Sequence, residues 1–213
     1  MYLVTRTRVA KPGKMADAVA SIQSSKAIVQ RVTGRDIALA VPVFGRPPGT
    51  VTMAMFVENR ADWFDTLDLL RADPEAVALE QRTDCFETTG DDALRMVLHT
   101  AGFDPAAGAA APLAYSQSWS AQIDHFRFDE AMAWAVDISD HVHGLTGVPL
   151  VLAADAYGAF GTLTWVAGLD SAAQADAMNE AMLGDAVWRQ KLAAGDGLFI
   201  PTTVKVWLNR FIP

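Results

Sequence analysis

Cysteine is almost absent from these 213 residues, Cys85 being the only one. That excludes an intrachain disulfide and a multi-thiolate zinc cage, so no metal site is expected. Positive charge is also in short supply, with 17 Lys and Arg against 25 Asp and Glu and a net charge of −8. Phosphate binding needs clustered basic side chains; the nearest approach is Arg6 and Arg8 at strand spacing, so no nucleic-acid partner is expected. Long apolar runs are missing as well. The longest, around residues 148–154, falls far short of the ~20 residues of a membrane span. The opening MYLVTRTRVAK alternates like a strand and lacks the apolar block of a signal peptide. A cytoplasmic protein without a membrane partner is the expectation. No Gly-x-Gly-x-x-Gly, Walker, Gly-x-Ser-x-Gly or His-Glu-x-x-His run occurs, so nucleotide, serine-hydrolase and zincin chemistry have no support and no cofactor is expected.

What is present is a sentence said twice. Residues 33–58 read TGRDIALAVPVFGRPPGTVTMAMFVE, and residues 146–170 read TGVPLVLAADAYGAFGTLTWVAGLD. Each runs Thr-Gly, an apolar strand, aromatic-Gly, a turn, Gly-Thr-apolar-Thr, a second apolar strand and an acid. The offset is 113 at Thr33/Thr146 and Phe44/Tyr157, then 112 at Gly49/Gly161, so the second hairpin loop is one residue shorter. Matching hairpins with matching flanks point to an internal duplication.

The flanks repeat the same order. Residues 2–10 alternate as a strand that Pro12-Gly13 ends, and 14–32 carry Met15, Val19, Ile22, Val29 and Val32 at helical spacing. Strands 37–45 and 50–58 follow, then a helix over 61–70 presenting Trp63, Leu67 and Leu70. Asp73-Pro74-Glu75 restarts a short helix, with Asp as cap and Pro in the first turn, and a strand falls over 94–100. Residues 101–112, AGFDPAAGAAAP, have no periodicity and read as a linker. Beyond them come a strand over 115–121 and a helix over 128–143 with Phe128, Met132, Ala135 and Val142 on one face. After the second hairpin the sequence predicts helices over 172–183 and 186–194, the latter capped by Asp185, and a strand over 202–212. The domains expected are a first repeat, 1–100, the linker, 101–112, and a second repeat, 113–213.

Each half is thus β-α-β-β-α-β with its second helix broken, a ferredoxin-like unit. Such a sheet has one face covered by helices and one bare, and two bare faces can bury each other. The expected fold class is α+β: tandem duplicated ferredoxin-like units packed sheet to sheet as an intramolecular α+β barrel. In this element order, and in the broken helix with its Asp-Pro-Glu restart, the chain from Tyr2 to Ile212, linker aside, resembles the dimeric α+β barrel superfamily. That superfamily includes antibiotic-biosynthesis-type monooxygenases, NIPSNAP-like and EthD-like proteins and chlorite-dismutase-like haem proteins. The resemblance implies cofactor-free oxygenation or isomerisation of a small, partly aromatic molecule. The alternatives are a non-catalytic ligand-binding or oligomerisation scaffold and, third, a haem protein with His141 or His143 as axial ligand. A homodimer is a further expectation. Some cofactor-free monooxygenases of the superfamily use an Asn and a Trp beside a basic residue. Asn59, Trp63 and Arg60 resemble that set, whereas the second half has Ser171 and Ala175 in place of Asn59 and Trp63.

The halves are unequally furnished. Trp119, Trp134, Trp165, Trp188 and Trp207 lie in the second, against Trp63 alone in the first, which suits either an aromatic ligand cavity or an aromatic core. Tyr115, Gln117 and Trp119 share one strand face; with Trp165 they are the candidate ligand-binding residues, and Arg6 joins them as the counterpart of Trp119. A buried Arg or Gln needs a partner, which a bound carboxylate or carbonyl can supply. His125, in a strand-to-helix loop, is an acid-base candidate. His141 is another, four residues after Asp137; the pair His141-x-His143 is misplaced for one metal ion on a helix. Cys85, beside Asp84, reads as structural.

Overall fold

The helix ends show how closely the local chemistry of the two halves runs in parallel. In the computed structural model of the chain, which describes residues 1–82, 84–104, 113–157 and 160–213, helix α1 (Met15–Thr33) stops at Gly34 with φ 72° and helix α4 (Phe128–Thr146) at Gly147 with φ 69°. Only glycine enters that left-handed region without strain, so the repeated Thr-Gly is a helix stop. Helix α2 (Arg60–Ala72) begins at Asn59, whose side chain accepts from the Asp62 N–H; helix α5 (Ala172–Gly184) begins at Ser171, which accepts from Gln174 N–H. Asp73 and Asp185 do the same for α3 (Pro74–Glu80) and α6 (Ala186–Ala194), each taking two backbone N–H groups. These polar caps satisfy donors that the first helical turn cannot.

Among the described residues there are eight strands: β1 (Tyr2–Ala10), β2 (Ala38–Phe44), β3 (Thr50–Val57), β4 (Phe86–Ala101), β5 (Tyr115–Gln122), β6 (Leu150–Asp155), β7 (Thr162–Leu169) and β8 (Lys205–Ile212). With the six helices they form a mixed α+β fold, the strands closing an antiparallel barrel in the order β1-β3-β2-β8-β5-β7-β6-β4. The chain divides into two compact units, Met1–Leu94 with Arg210–Pro213, and Arg95–Asn209. Residues 105–112 of the expected linker lie outside the described residues.

In the first unit β1 pairs antiparallel with β3, from Tyr2 opposite Val57 to Val9 opposite Thr50, and β3 with β2 at Leu39 opposite Met53. Helix α1 lays Ile22 and Val29 against Ile37, Leu39 and Val51, while Val4, Met55 and Val57 pack with Trp63 and Leu94. In the second unit β5 pairs with β7, setting Trp119 opposite Trp165, and β7 with β6, setting Trp165 opposite Leu152. Its cores join Leu150, Leu169, Met178 and Val142, and Ile123, Leu163, Ala131 and Ala135.

Three expectations shift. The strand placed over 94–100 runs from Phe86 to Ala101. The last strand starts at Lys205 rather than 202, because Pro201–Thr203 close a 3-10 turn in which Thr203 Oγ1 donates to Ile200 O. Met15 and Phe128, placed on apolar helix faces, are exposed, and Ala18 and Ala131 one turn on are buried instead. No helix among the described residues is long and apolar enough to cross a membrane.

Candidate functional site

Strand alternation builds one wall of a cavity. On β5, Tyr115, Gln117, Trp119 and Ala121 lie on the same side, and each meets a helix-covered cluster or a helix side chain. Trp165 stands across from Trp119 on β7. The second wall is α4, which presents Trp134, Ile138 and Val142 at successive i, i+4 positions, and the third is α6, with Trp188 and Leu192 at the same spacing. Phe199 and Pro201 continue the lining. Together they enclose about 530 Å3, all of it within the second unit. That lies inside the range of roughly 300–1,000 Å3 over which small-molecule sites are built.

The rings are held in different ways. Trp134 Nε1–H donates to Lys191 O at 2.7 Å and Trp165 Nε1–H to Ala135 O at 3.4 Å. Trp134, Trp165 and Phe199 meet edge to face, with centroids 5.3–6.2 Å apart, the arrangement that the ring quadrupoles favour. The indole N–H groups of Trp119 and Trp188 have no acceptor among the described residues. Gly195 lets the loop after α6 lie directly on Trp134: a Cβ there would stand 2.7–2.9 Å from three atoms of the indole.

Charge gathers at the helix that closes the cavity. Helix α6 buries none of its residues fully, and polar links tie it to α4. Lys191 Nζ donates to Asp137 Oδ2, and His141 Nε2 lies 3.4 Å from Asp185 Oδ2. The backbone N–H of Trp188, then that of Val187, hold the Asp185 carboxyl below the usual carboxylate range against the opposing effect of burial, and the charge of His141 adds to them. The i, i+4 spacing of Asp137 and His141 therefore does not make a pair. Each finds its partner on or beside α6, because Asp185 and Lys191 compete successfully for them. Asp196, in the loop after α6, is the one ionisable residue in the cavity lining among the described residues.

The candidates from the sequence fall in two places. Trp119 and Trp165 line the cavity. Tyr115, like Trp119 and Trp188, packs against the adjoining core of Leu150, Leu169 and Met178, and Gln117 Nε2 donates to Asn179 Oδ1 at 3.3 Å, so its amide is partnered within the chain. His125 starts a 3-10 turn outside the lining, with its ring 5.6 Å from that of Phe160. His141 is outside it too, against Asp185. Asn59, Trp63 and Arg6 belong to the first unit. There Asn59 caps α2, Trp63 packs on Val4, Met55 and Val57, and Arg6 Nε lies 3.3 Å from Asp92 with Glu80 at 3.6 Å. Trp134, Trp188, Phe199 and Asp196 also line the cavity, and sequence reasoning did not place them there. The i, i+4 series Trp134, Ile138, Val142 was the available signal.

No protein-family model and no curated protein matches the chain. Solved structures do. A proposed monooxygenase of Fusobacterium nucleatum superposes with a TM-score of 0.75 at 7% identity, over 100% of this chain and 92% of the other. An anthrone oxidase-like protein gives 0.65 at 13%, over 100% and 91%. A haem-degrading enzyme of Listeria monocytogenes gives 0.55 at 6%, over the whole of both chains. The chain therefore has the dimeric α+β barrel fold of these monooxygenase-like proteins. Likeness at such identities establishes architecture and leaves activity to the site.

Haem, implied by part of the fold family, can be tested against the lining. Axial ligation draws on His, Cys, Met or Tyr, and of these only Met182 lines the cavity among the described residues. Neither His141 nor His143 is in the lining, and His143 Nδ1 lies 3.1 Å from Val148 O. The residues present do not fit a histidine-ligated haem in this cavity.

Proposed function

We propose that the second unit binds a small, partly aromatic molecule in the cavity beneath α4 and α6. The observation that carries this is the wall itself: four tryptophans and Phe199 around about 530 Å3, with two indole N–H groups that have no acceptor among the described residues. The rings supply apolar and stacking surface, and those N–H groups suit a ligand that carries a carbonyl, hydroxyl or ring-nitrogen acceptor. Binding without turnover is the reading that this wall favours. Acid-base chemistry needs a titratable group within reach of the substrate; His125 and His141 stand outside the lining, and Asp196, the one ionisable residue in it among the described residues, has no second such group beside it there to act as its partner. Cofactor-free oxygenation or isomerisation of the same class of molecule is the second reading, and the monooxygenase-like and oxidase-like proteins of the same fold support it. We propose also that the halves, 1–100 and 113–213, are copies of one unit joined by residues 101–112, and that two chains pair as a homodimer.

Titration of the tryptophan fluorescence with 1-naphthol tests the first reading. Saturable quenching at one ligand per chain is expected. Leu192→Trp, which extends a ring into the cavity from a position 46% exposed, should weaken it by about tenfold or more, as a blocked pocket does. Quenching that never saturates, or that Leu192→Trp leaves alone, would sink the proposal. Oxygen uptake on adding the ligand, measured with an electrode, separates the second reading from the first.

A further inference from the structure

We infer that the mouth of this cavity selects by charge, and that Asp196 makes it a site for molecules whose solvent-facing end is a cationic amine. The inference rests on the cavity's being a ligand site and goes beyond it by naming the ligand's charge. On α4, α6 and the turn before α4, three basic side chains have carboxylates of their own: Lys191 has Asp137, His141 has Asp185, and Arg127 Nη2 donates to Glu130 at 2.7 Å. Arg189 donates to the carbonyl of Leu183. Asp196 is left over. Its carboxylate accepts no hydrogen bond and joins no ion pair among the described residues, the charge of Arg127 acting first on Glu130 and on Asp196 only more weakly, and no other ionisable residue among them lines the cavity.

The loop fixes where that charge stands. Gly195 rests on Trp134 where no Cβ fits, and Gly197 has φ 71°. The Asp196 N–H donates to Ala193 O at 3.2 Å, and Arg127 Nη1 donates to Asp196 O at 3.2 Å, engaging the backbone carbonyl. In the same lining, Trp134 and Trp165 have their N–H edges committed to backbone carbonyls. What they offer a ligand is the carbon surface of the ring, whose negative quadrupole attracts an ammonium group. An aromatic wall with one unpaired carboxylate at its rim favours a cation and repels an anion of the same shape.

The test compares three phenethyl probes that differ in the charge of the head group on the full chain at low ionic strength: phenethyltrimethylammonium, its neutral isostere (3,3-dimethylbutyl)benzene, and 3-phenylpropionate. Dissociation constants come from tryptophan fluorescence. The cation should bind roughly tenfold more tightly than the anion, with the neutral probe reporting whether the cavity accepts the shape at all. In Asp196→Asn, a change on an exposed loop, the cation-to-anion ratio should collapse towards unity, and 0.5 M NaCl should shrink it in the wild type. An anion that binds as well as the cation overturns the inference, as does a ratio that survives in Asp196→Asn. If the neutral probe binds while either of those holds, only the charge selection falls. If none of the three binds, the ligand-site reading falls with it.

Discussion

Replacing Gly195 with alanine sets two effects against each other, and the structure decides between them. Gly195 has φ −81° and ψ −3°, a conformation open to any L-residue. On backbone grounds alone alanine would therefore stabilise the fold by about 0.4–1 kcal/mol, through the lower entropy of the unfolded chain. The added Cβ, however, would lie 2.7, 2.8 and 2.9 Å from Cε2, Cζ2 and Nε1 of Trp134. That indole has nowhere easy to go. Its N–H is bound to Lys191 O at 2.7 Å, and its ring packs on Trp165 and Phe199. Overpacking of this kind costs about 1–3 kcal/mol, and loosening the Trp134–Lys191 bond adds about 0.5–1.5 kcal/mol. The net expectation is a loss of about 0.5–4 kcal/mol, or a fall of roughly 1–16 °C in Tm for a chain of this size. Gly144 is the control, since it is exposed inside α4 and a Cβ added there would meet nothing within 4 Å. Gly144→Ala should gain up to about 1 kcal/mol. Urea unfolding followed by circular dichroism reads both. A Gly195→Ala variant as stable as the wild type would mean that the Trp134 wall yields freely, contrary to the packing described.

Other outcomes follow from the same geometry. The Asp185 carboxyl is held below its ordinary value by the α6 N–H groups, so its charge stabilises the fold above the unfolded value, near 3.9, and that contribution is lost as pH falls through the folded one. Asparagine still caps a helix. The gap in Tm between wild type and Asp185→Asn should therefore be open at pH 7 and close below about pH 4, as scanning calorimetry would show; a gap independent of pH would rule the assignment out. Cys85 is 4% exposed, and burial, then the charge of Asp84, push its thiol up. Its reaction with a disulfide reagent at pH 8 should be slow in buffer and rapid in denaturing urea; rapid labelling of the folded chain would contradict its burial. Trp165→Ala should cost about 3 kcal/mol, the low end for Trp to Ala because one side of the ring already faces open space. Its urea midpoint checks this, and a value within about 0.5 kcal/mol of the wild type, the range of an ordinary surface change, would contradict the packing.

The architecture was legible because it rests on short-range chemistry. Thr-Gly marks the ends of α1 and α4, Asp73 and Asp185 start α3 and α6, and period-two alternation puts Trp119 on one face of β5 with Tyr115 and Gln117. Each of these signals acts within a few residues, so the sequence alone displays it. The cavity is different in kind. Its wall is assembled from β5, β7, α4, α6 and the loop after α6, and spacing within one element says nothing about which other element meets it. That is why Trp134 and Trp188 were counted among the aromatics and yet not placed. It is also why His141, four residues from Asp137, turned out to face Asp185. For Arg6 and Gln117 the sequence shows the need for a partner but not its identity, and Asp92 and Asn179 come from elements far along the chain.

A ligand cavity walled by these tryptophans is best tested by a native mass spectrum of the full chain, taken after incubation with a mixture of bicyclic aromatic alcohols, ketones and amines. One adduct per chain is expected at saturation, lost in Leu192→Trp, and the same spectrum counts the chains in the assembly. The absence of any adduct, or several adducts per chain that persist in Leu192→Trp, would show that the tryptophans enclose no such site.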